Sequence, residues 1–243
     1  SIRRLWPPGP VLSPPATAGV GGRPLSNLSF ALNFAAGGLA VPGYHLVNLA
    51  IHLAAGLTLF GLVRRTLGLP APAPAFSSDA ATRVAFTAAL LWLAHPLQTE
   101  AVTYLSQRTE SLAGLCYLLT LYGFVRASQK PARRWVFLVP LAGACGMATK
   151  EIMVTAPVVV LLFDRTFVGG SFRAAWSAHR RIHLSLASTW ILLLLLLAEV
   201  HERGVGYVAI TGWQYALTSC QSLLVYLRLA LWPAPLVFDY GTD

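Results

Sequence analysis

The sequence has little charge for its length. Of its 243 residues only 11% are charged, whereas 56% are hydrophobic, and the mean hydropathy is +0.61. A soluble domain of this size carries about twice that share of charge. The composition therefore excludes an ordinary soluble domain and predicts an all-α, polytopic membrane helix bundle that forms a single domain.

Cysteine is also scarce, and acidic residues are missing from the first 78 positions. Cys116, Cys145 and Cys220 all lie in apolar segments, which predicts packing roles without a disulfide or a metal site. The net charge of +9 comes from Arg and Lys beside apolar runs. That pattern sets membrane orientation and does not predict a nucleic-acid partner.

The chain divides at about residue 43. Residues 1–24 are rich in Pro and Gly, which argues against a regular helix there. Leucines at three- and four-residue spacing predict a surface helix over 25–39, ended by Gly37 and Gly38. We interpret 1–43 as an outer loop with this interfacial helix and 44–243 as the membrane core. Its six to seven transmembrane or interfacial helices correspond to seven apolar segments, at about 44–63, 83–95, 109–125, 135–149, 151–163, 183–199 and 212–232.

Basic residues alternate between connections. Three connections hold most of them: Arg64, Arg65 and Arg83; Arg126, Lys130, Arg133 and Arg134; Arg165, Arg173, Arg180 and Arg181. The intervening connections hold one each, namely Arg108, Lys150 and Arg203. The alternation predicts cytoplasmic basic loops and places 95–111, Lys150, Glu151 and the amino-terminal stretch together on the outer face. Segment 212–232 either crosses inward or lies along the outer interface, and we favour the second.

Several motifs resemble one membrane family. In chain order they are RPLSNLSFALN (23–33), YHLVNLAIH (44–52), AHPLQTEAV (94–102), QRTESLAG (107–114), TKE (149–151) and LRLALWPAPLVFDY (227–240). The set resembles the transmembrane O-mannosyltransferases with tetratricopeptide repeats and their bacterial relatives, which share the GT-C glycosyltransferase fold. HP-x-x-TEAV followed by R-x-E is the most specific element.

The resemblance implies transfer of a mannose-like sugar from a polyprenyl-phosphate carrier to a protein or glycan acceptor on the extracytoplasmic face. The donor is a lipid-linked substrate within the membrane. In the family an essential acid follows the first transmembrane helix, so we expect that helix and the catalytic Asp upstream of Ser1, and the repeats beyond the carboxy terminus. An Arg-, Ala- and Leu-rich composition favours a bacterial inner membrane over the endoplasmic reticulum membrane.

Candidate site residues follow from the chemistry of sugar transfer. The reaction needs a carboxylate that takes the acceptor proton and cations that stabilise the leaving phosphate. Arg suits the second task because its planar fork can bind two phosphate oxygens. We predict that Arg108, then Lys150 and Arg23, bind the donor phosphate, and that Glu100 is the candidate catalytic carboxylate. Interfacial snorkelling is the alternative for each cation.

Supporting roles are assigned to His95, Glu110, Glu151, His45 and Asp239. His95 precedes Pro96 at a helix end, where hydrogen bonding is the simplest role. Helix capping or ion pairing is favoured over catalysis for Glu110. Lys150 and Glu151 form either a tight outer turn or a site wall, and the family match favours the wall; Asp239 matches the family's closing FDY element.

His45, Asn48 and His52 share one face of a predicted helix. Two histidines without a nearby acid favour an interior polar seam over a metal site.

Two other function classes stay open at this point. A transporter would carry charges on broken helices in mid-membrane, whereas the charges here lie mainly at segment ends. A non-catalytic membrane scaffold would not need acids and bases on one outer face.

Overall fold

A computed structural model describes residues 2–3, 5–6, 8–14, 20–69, 76–130, 132–201 and 212–237. These residues form helices and no strand, which confirms the predicted all-α class. The helices are α1 (Gly9–Leu12), α2 (Pro24–Gly37), α3 (Val41–Leu67), α4 (Ser78–Ala94), α5 (Gln98–Thr103), α6 (Arg108–Gln129), α7 (Arg133–Met147), α8 (Ala156–Phe163), α9 (Phe172–Ala187), α10 (Thr189–His201) and α11 (Gly212–Leu231).

Three helical stretches are long and apolar enough to cross a membrane. They are Val41–Leu67, Leu105–Gln129 and Phe172–Ala198. A helix of 27 residues is about 40 Å long, which exceeds the hydrocarbon thickness of a bilayer. Large apolar side chains on these helices also face outwards, for example Leu57, which is 71% exposed, and Leu194, which is 66% exposed. The chain is therefore an integral membrane protein.

The bundle has two chemically different ends. At one end lie Arg23, Glu100, Arg108, Glu110, Lys150 and Glu151, which we call the polar rim. At the other, the basic end, helices α3, α6 and α8 finish and α4, α7 and α9 begin. Arg65 Nη1 donates to Gln129 Oε1 at 3.1 Å there and joins the last turns of α3 and α6.

Small residues allow the helices to approach each other closely. The buried face of α4 consists of Ala81, Ala85 and Ala89, and α4 packs against α3 where Gly56 lies against Leu93. Close backbone approach is typical of helix pairs in membranes, where apolar burial gives little driving force. Between α6, α7, α8 and α9 the core is larger and includes Phe124 and Leu186, both without exposed surface.

Two expectations about the connections are corrected by the structure. Residues 9–12 form a single helical turn in the Pro-rich start, where no regular helix was predicted. The predicted basic connection 164–181 is partly helical, because α9 already begins at Phe172 with Ser171 Oγ accepting a hydrogen bond from Ala174 N. The sixth apolar segment was therefore predicted too short. The first half of α9 is polar, so hydrophobicity alone did not indicate a helix there.

Candidate functional site at the polar rim

Arg108 is the centre of the polar rim and has no exposed surface. Its Nε donates to Asn48 Oδ1 at 2.6 Å, and Nη2 donates to Asn33 Oδ1 at 2.9 Å. Nη1 donates to the carbonyl oxygen of Ser29 at 3.2 Å, and Nη2 also donates to that of Tyr44 at 3.0 Å. The guanidinium is thus bound by four acceptors from two different helices.

The acceptors around Arg108 are neutral. Within the described ranges, no carboxylate forms an ion pair with it. The guanidinium carbon lies 4.4 Å from the ring centre of Phe30 and 5.5 Å from that of Tyr44, so two aromatic faces add cation–π attraction. A buried charge is tolerated only when its donors are satisfied, and here amide, carbonyl and ring groups satisfy them.

Helical spacing explains why these groups converge. Ser29 and Asn33 are four residues apart on α2, and Tyr44 and Asn48 are four residues apart on α3. Residues at that spacing share one helix face. Arg108 is the first residue of α6, so its long side chain reaches both faces from the start of a third helix.

Two ion pairs link the remaining charges of the rim. Lys150 pairs with Glu110, and Arg23 Nη2 lies 3.2 Å from Glu151 Oε2. Leu25 N donates to the carbonyl oxygen of Ala148 at 3.0 Å, which fixes the start of α2 beside these pairs. All four side chains are partly exposed. The rim therefore combines a buried cation with two cations that solvent or a ligand can reach.

Lys150 is the cation whose pKa is perturbed. Burial, followed by the neighbouring Arg23 guanidinium, lowers the pKa of Lys150 below its ordinary value of 10.5, while the Glu151 carboxylate raises it. Desolvation disfavours the charged amine because water no longer stabilises it. Lys150 would gain an additional stabilising partner if an anion bound beside it.

Glu100 faces a cavity of about 500 Å³ next to the rim. Gln107 Nε2 donates to Glu100 Oε1 at 3.1 Å and orients the carboxylate. The cavity is mostly apolar, with Tyr226 and Leu229 of α11 opposite Glu100. One acid beside an apolar wall can contact a hydroxyl while the wall accommodates hydrocarbon.

His95 ties α11 to this end of the molecule. Its Nδ1 accepts a hydrogen bond from Leu97 N at 3.2 Å, so Nε2 carries the proton that it donates to the carbonyl oxygen of Ala230 at 3.2 Å. The last turn of α11 therefore lies beside His95 and the cavity, and both ring nitrogens of His95 are hydrogen-bonded.

The remaining candidate residues lie in different parts of the bundle. Residues of 95–111, Lys150, Glu151 and the amino-terminal stretch lie together at the polar rim, and Glu110 is ion-paired; their position on the outer face stays a prediction. The polar seam on α3 is buried at Asn48 and His52, but His45 is exposed, so it does not belong to the interior seam. Asp239 lies outside the described residues.

Burial changes the expected role of Arg108. A phosphate would have to displace protein acceptors to reach it, so the geometry favours a positioning role, and phosphate contact by Arg108 stays a prediction. Sequence reasoning had singled out Asn48 for another purpose and missed Asn33. The sequence signal that could have identified Asn33 is an amide side chain, four residues after Ser29, in a largely apolar helix.

Comparison with known proteins finds similar sequences over almost the whole chain. The chain is 30% identical over 236 residues to Protein O-mannosyl-transferase Tmtc2 of Drosophila melanogaster, which covers 91% of this chain and 24% of that protein. It is 33% identical over 245 residues to Protein O-mannosyl-transferase TMTC2 of Homo sapiens, covering 91% of this chain and 28% of that protein. The chain is thus similar to the Tmtc protein O-mannosyl-transferases over 91% of its length.

The similarity extends across almost all of this Tmtc-like chain but only part of its relatives. Drosophila melanogaster Protein O-mannosyl-transferase Tmtc1 is 29% identical over 246 residues, with 91% of this chain and 27% of that protein covered. The Tmtc-like chain thus spans about a quarter of the length of the curated relatives it matches. No family model matches the chain, and no solved structure matches it.

Proposed function

We propose that this Tmtc-like chain is the membrane core of a glycosyltransferase that moves a mannose-like sugar from a polyprenyl phosphate to a protein or glycan acceptor. One observation carries the proposal: six charged residues from separate parts of the sequence meet at the polar rim, beside a cavity lined by Glu100 and an apolar wall. The rim would face the extracytoplasmic side, as the alternation of basic loops predicts. Location in a bacterial inner membrane stays a prediction.

The reaction defines what the rim residues must do. The acceptor hydroxyl oxygen attacks the anomeric carbon, and a new carbon–oxygen bond forms. The bond from that carbon to the phosphate oxygen breaks, and its electron pair leaves with the phosphate. A carboxylate accepts the hydroxyl proton, and we assign this task to Glu100 among the described residues. The family resemblance places a further acid upstream of Ser1.

Lys150 and Arg23 are the cations proposed to stabilise the leaving phosphate. Without an anionic ligand they pair with Glu110 and Glu151, and these partly exposed pairs are weak enough to be exchanged. Fixed cations stabilise the charge that develops on the departing oxygen. Arg108 would hold α2, α3 and α6 in register beneath them and position the site.

The apolar wall of the cavity is proposed to accept the first units of the polyprenyl chain. Leu229, Leu236 and Val237 contribute to it and lie at the carboxy-terminal end of the described chain. A lipid that enters from the bilayer along this wall would bring its phosphate to the interface, where Glu100 and the rim lie.

The test uses the full-length protein reconstituted in liposomes with polyprenyl-phosphate mannose and an acceptor. Glu100→Gln should lower the rate of transfer by about 10²–10⁴-fold, the usual contribution of proton transfer by a side chain. Lys150→Met should raise the KM for the donor. Lys130→Met, a change at the other lysine of the chain on the basic end, is the matched control and should leave both parameters unchanged.

Insertion and monodispersity of each variant exclude a folding defect. Unchanged transfer in Glu100→Gln and Lys150→Met would overturn the assigned roles. Absence of transfer by the wild-type protein, together with transport of a solute across the liposome membrane, would favour the transporter alternative.

A further inference from the structure

A second cluster of polar side chains lies at the basic end, far along the bundle from the polar rim. His179 Nδ1 lies 2.9 Å from Asp164 Oδ2, and His183 Nε2 lies 2.8 Å from the same oxygen. The ligand-type atoms of the three residues all lie within 4.8 Å of one another. A carboxylate and two imidazoles therefore converge on one point.

The cluster is buried but incompletely hydrogen-bonded. Asp164 has no exposed surface and His183 is 5% exposed. Both histidines contact Asp164 Oδ2, while Asp164 Oδ1 and His183 Nδ1 are buried without a hydrogen-bond partner. A buried carboxylate oxygen without a partner is costly. Asp164 Oδ1 can therefore still bind a proton donor or a cation.

Local backbone geometry directs the three side chains towards each other. Asp164 begins a π-helical turn, Asp164–Val168, which directly follows α8. His179 has non-helical backbone angles inside α9, with φ −121° and ψ 17°, and His183 follows one turn later. The ring of Trp176 stacks on His183 at 6.1 Å, and Phe124 lies edge-on to His179 at 5.3 Å. Aromatic walls thus fix both imidazole planes.

The cluster has an opening to the surface through His179. This residue lines a cavity of about 910 Å³ at the basic end, together with Trp135, Arg133, Arg180 and Arg181. His179 is the member of the cluster that lines this cavity, and its cavity side is open to a further ligand such as water. The arginines oppose the entry of a cation but would attract an anionic fourth ligand.

We propose that Asp164, His179 and His183 bind a divalent metal ion of the zinc class at the basic end. Two imidazole nitrogens and a carboxylate oxygen are ligands that zinc accepts, with bonds of about 2.0–2.2 Å. Such bonds imply about 3.3 Å between ligand atoms in a tetrahedron. The present 2.8–2.9 Å separations from Asp164 Oδ2 would have to lengthen by about 0.4–0.5 Å, and the two imidazole nitrogens, which lie within 4.8 Å of each other, would have to reach the same spacing. Both imidazoles bind in their neutral form, with the proton on the nitrogen that faces away from the ion.

Bound metal would also complete the bonding of Asp164. If the carboxylate bound the ion through both oxygens, Oδ1 would gain a partner. The ion would join α8 to α9 across the core cluster that includes Phe124 and Ile182. The proposed metal has a structural role, and its site is at the opposite end of the bundle from the sugar-transfer site. The metal proposal therefore does not depend on the proposed function.

The first test measures the metal content of the purified full-length protein in detergent. After chelation and addition of Zn²⁺, followed by desalting, we expect about one equivalent per chain by mass spectrometry of the metal. Asp164→Asn and His183→Gln should each retain less than about a tenth as much, because loss of even a group that only orients a metal ligand lowers affinity about 10–100-fold. His45→Gln, which changes an exposed histidine at the other end, should bind like the wild type.

A second measurement does not depend on the folding of the variants. Zn²⁺ should raise the melting temperature of the wild-type protein, whereas Mg²⁺ at the same concentration should not, because Mg²⁺ prefers oxygen ligands. Co²⁺ bound at the site should show the visible absorption of a tetrahedral complex. Absence of Zn²⁺ retention and of the melting shift in the wild type would overturn the proposal. Retention that both variants preserve would also overturn it, and would identify adventitious binding elsewhere.

Discussion

Arg108 Nε donates a hydrogen bond to Asn48 Oδ1 at 2.6 Å. This bond joins the first residue of α6 to the second turn of α3, and both partners have no exposed surface. Because a membrane interior supplies no water to replace it, the bond is part of the packing of three helices. The same residue had been predicted to bind a ligand, and its two possible roles predict different phenotypes.

Replacement of Arg108 by Met should destabilise the protein strongly. It would leave two amide oxygens and two backbone carbonyl oxygens without their donor, and we expect a loss of about 3–5 kcal/mol in the free energy of unfolding. Arg108→Lys should restore only part of this because an ammonium lacks the planar fork. Arg64→Met, at an exposed arginine, should stay within about 0.5 kcal/mol. Unfolding in mixed micelles measures all three, and a stable Arg108→Met variant with weak donor binding would instead support direct phosphate contact.

The ion pair between Lys150 and Glu110 should contribute little to stability. Its side chains are 24% and 43% exposed, and pairs of this kind contribute about 0.2–1 kcal/mol. A double-mutant cycle with Glu110→Gln and Lys150→Met measures the coupling energy directly. A coupling well above this range would show that the pair is a structural element and would argue against its exchange for a phosphate.

Stability should depend on pH through Lys150. Its pKa is lower in the folded state than the ordinary 10.5, so between the two values the unfolded state binds more protons. The free energy of unfolding contributed by Lys150 therefore rises with pH in that window. The melting temperature of the wild type, relative to Lys150→Met, should rise as the pH approaches 10.5. Lys130→Met should retain the wild-type slope, and parallel profiles for wild type and Lys150→Met would contradict the prediction.

Close contact between α3 and α4 should make Gly56 intolerant of a side chain. A Cβ at Gly56 would lie 2.5 Å from Leu93 Cγ, so Gly56→Ala should cost about 1–3 kcal/mol by overpacking. Gly114, also within a helix, has no atom within 4 Å of its would-be Cβ, and Gly114→Ala should stabilise by about 0.5–1 kcal/mol. Adding Leu93→Ala to Gly56→Ala should recover part of the loss. Equal melting temperatures for the two single variants would show that the helices do not pack as described.

Apolar composition and helical periodicity were sufficient to predict the bundle and most helix positions. The helices α3 and α2 were predicted because their signals, a long apolar run and leucines at helical spacing, are local. The start of α9 was missed because its first half is polar, and in sequence such a stretch resembles a loop. Only packing of Ala175 and Ile182, both buried, makes that polar stretch a helix of the core.

Composition alone is sufficient to predict a helical membrane bundle with most charges near the helix ends, because a charged side chain is costly in the middle of an apolar segment. Which of these charges are accessible depends on how the helices pack. Arg108 is covered by α2 and α3, while Lys150 and Arg23 stay partly exposed, and Asp164 meets two histidines from a helix that begins eight residues later. These pairs join positions that are 15 to 128 residues apart in the sequence. A local sequence pattern cannot predict them, because it does not show which helices pack against each other.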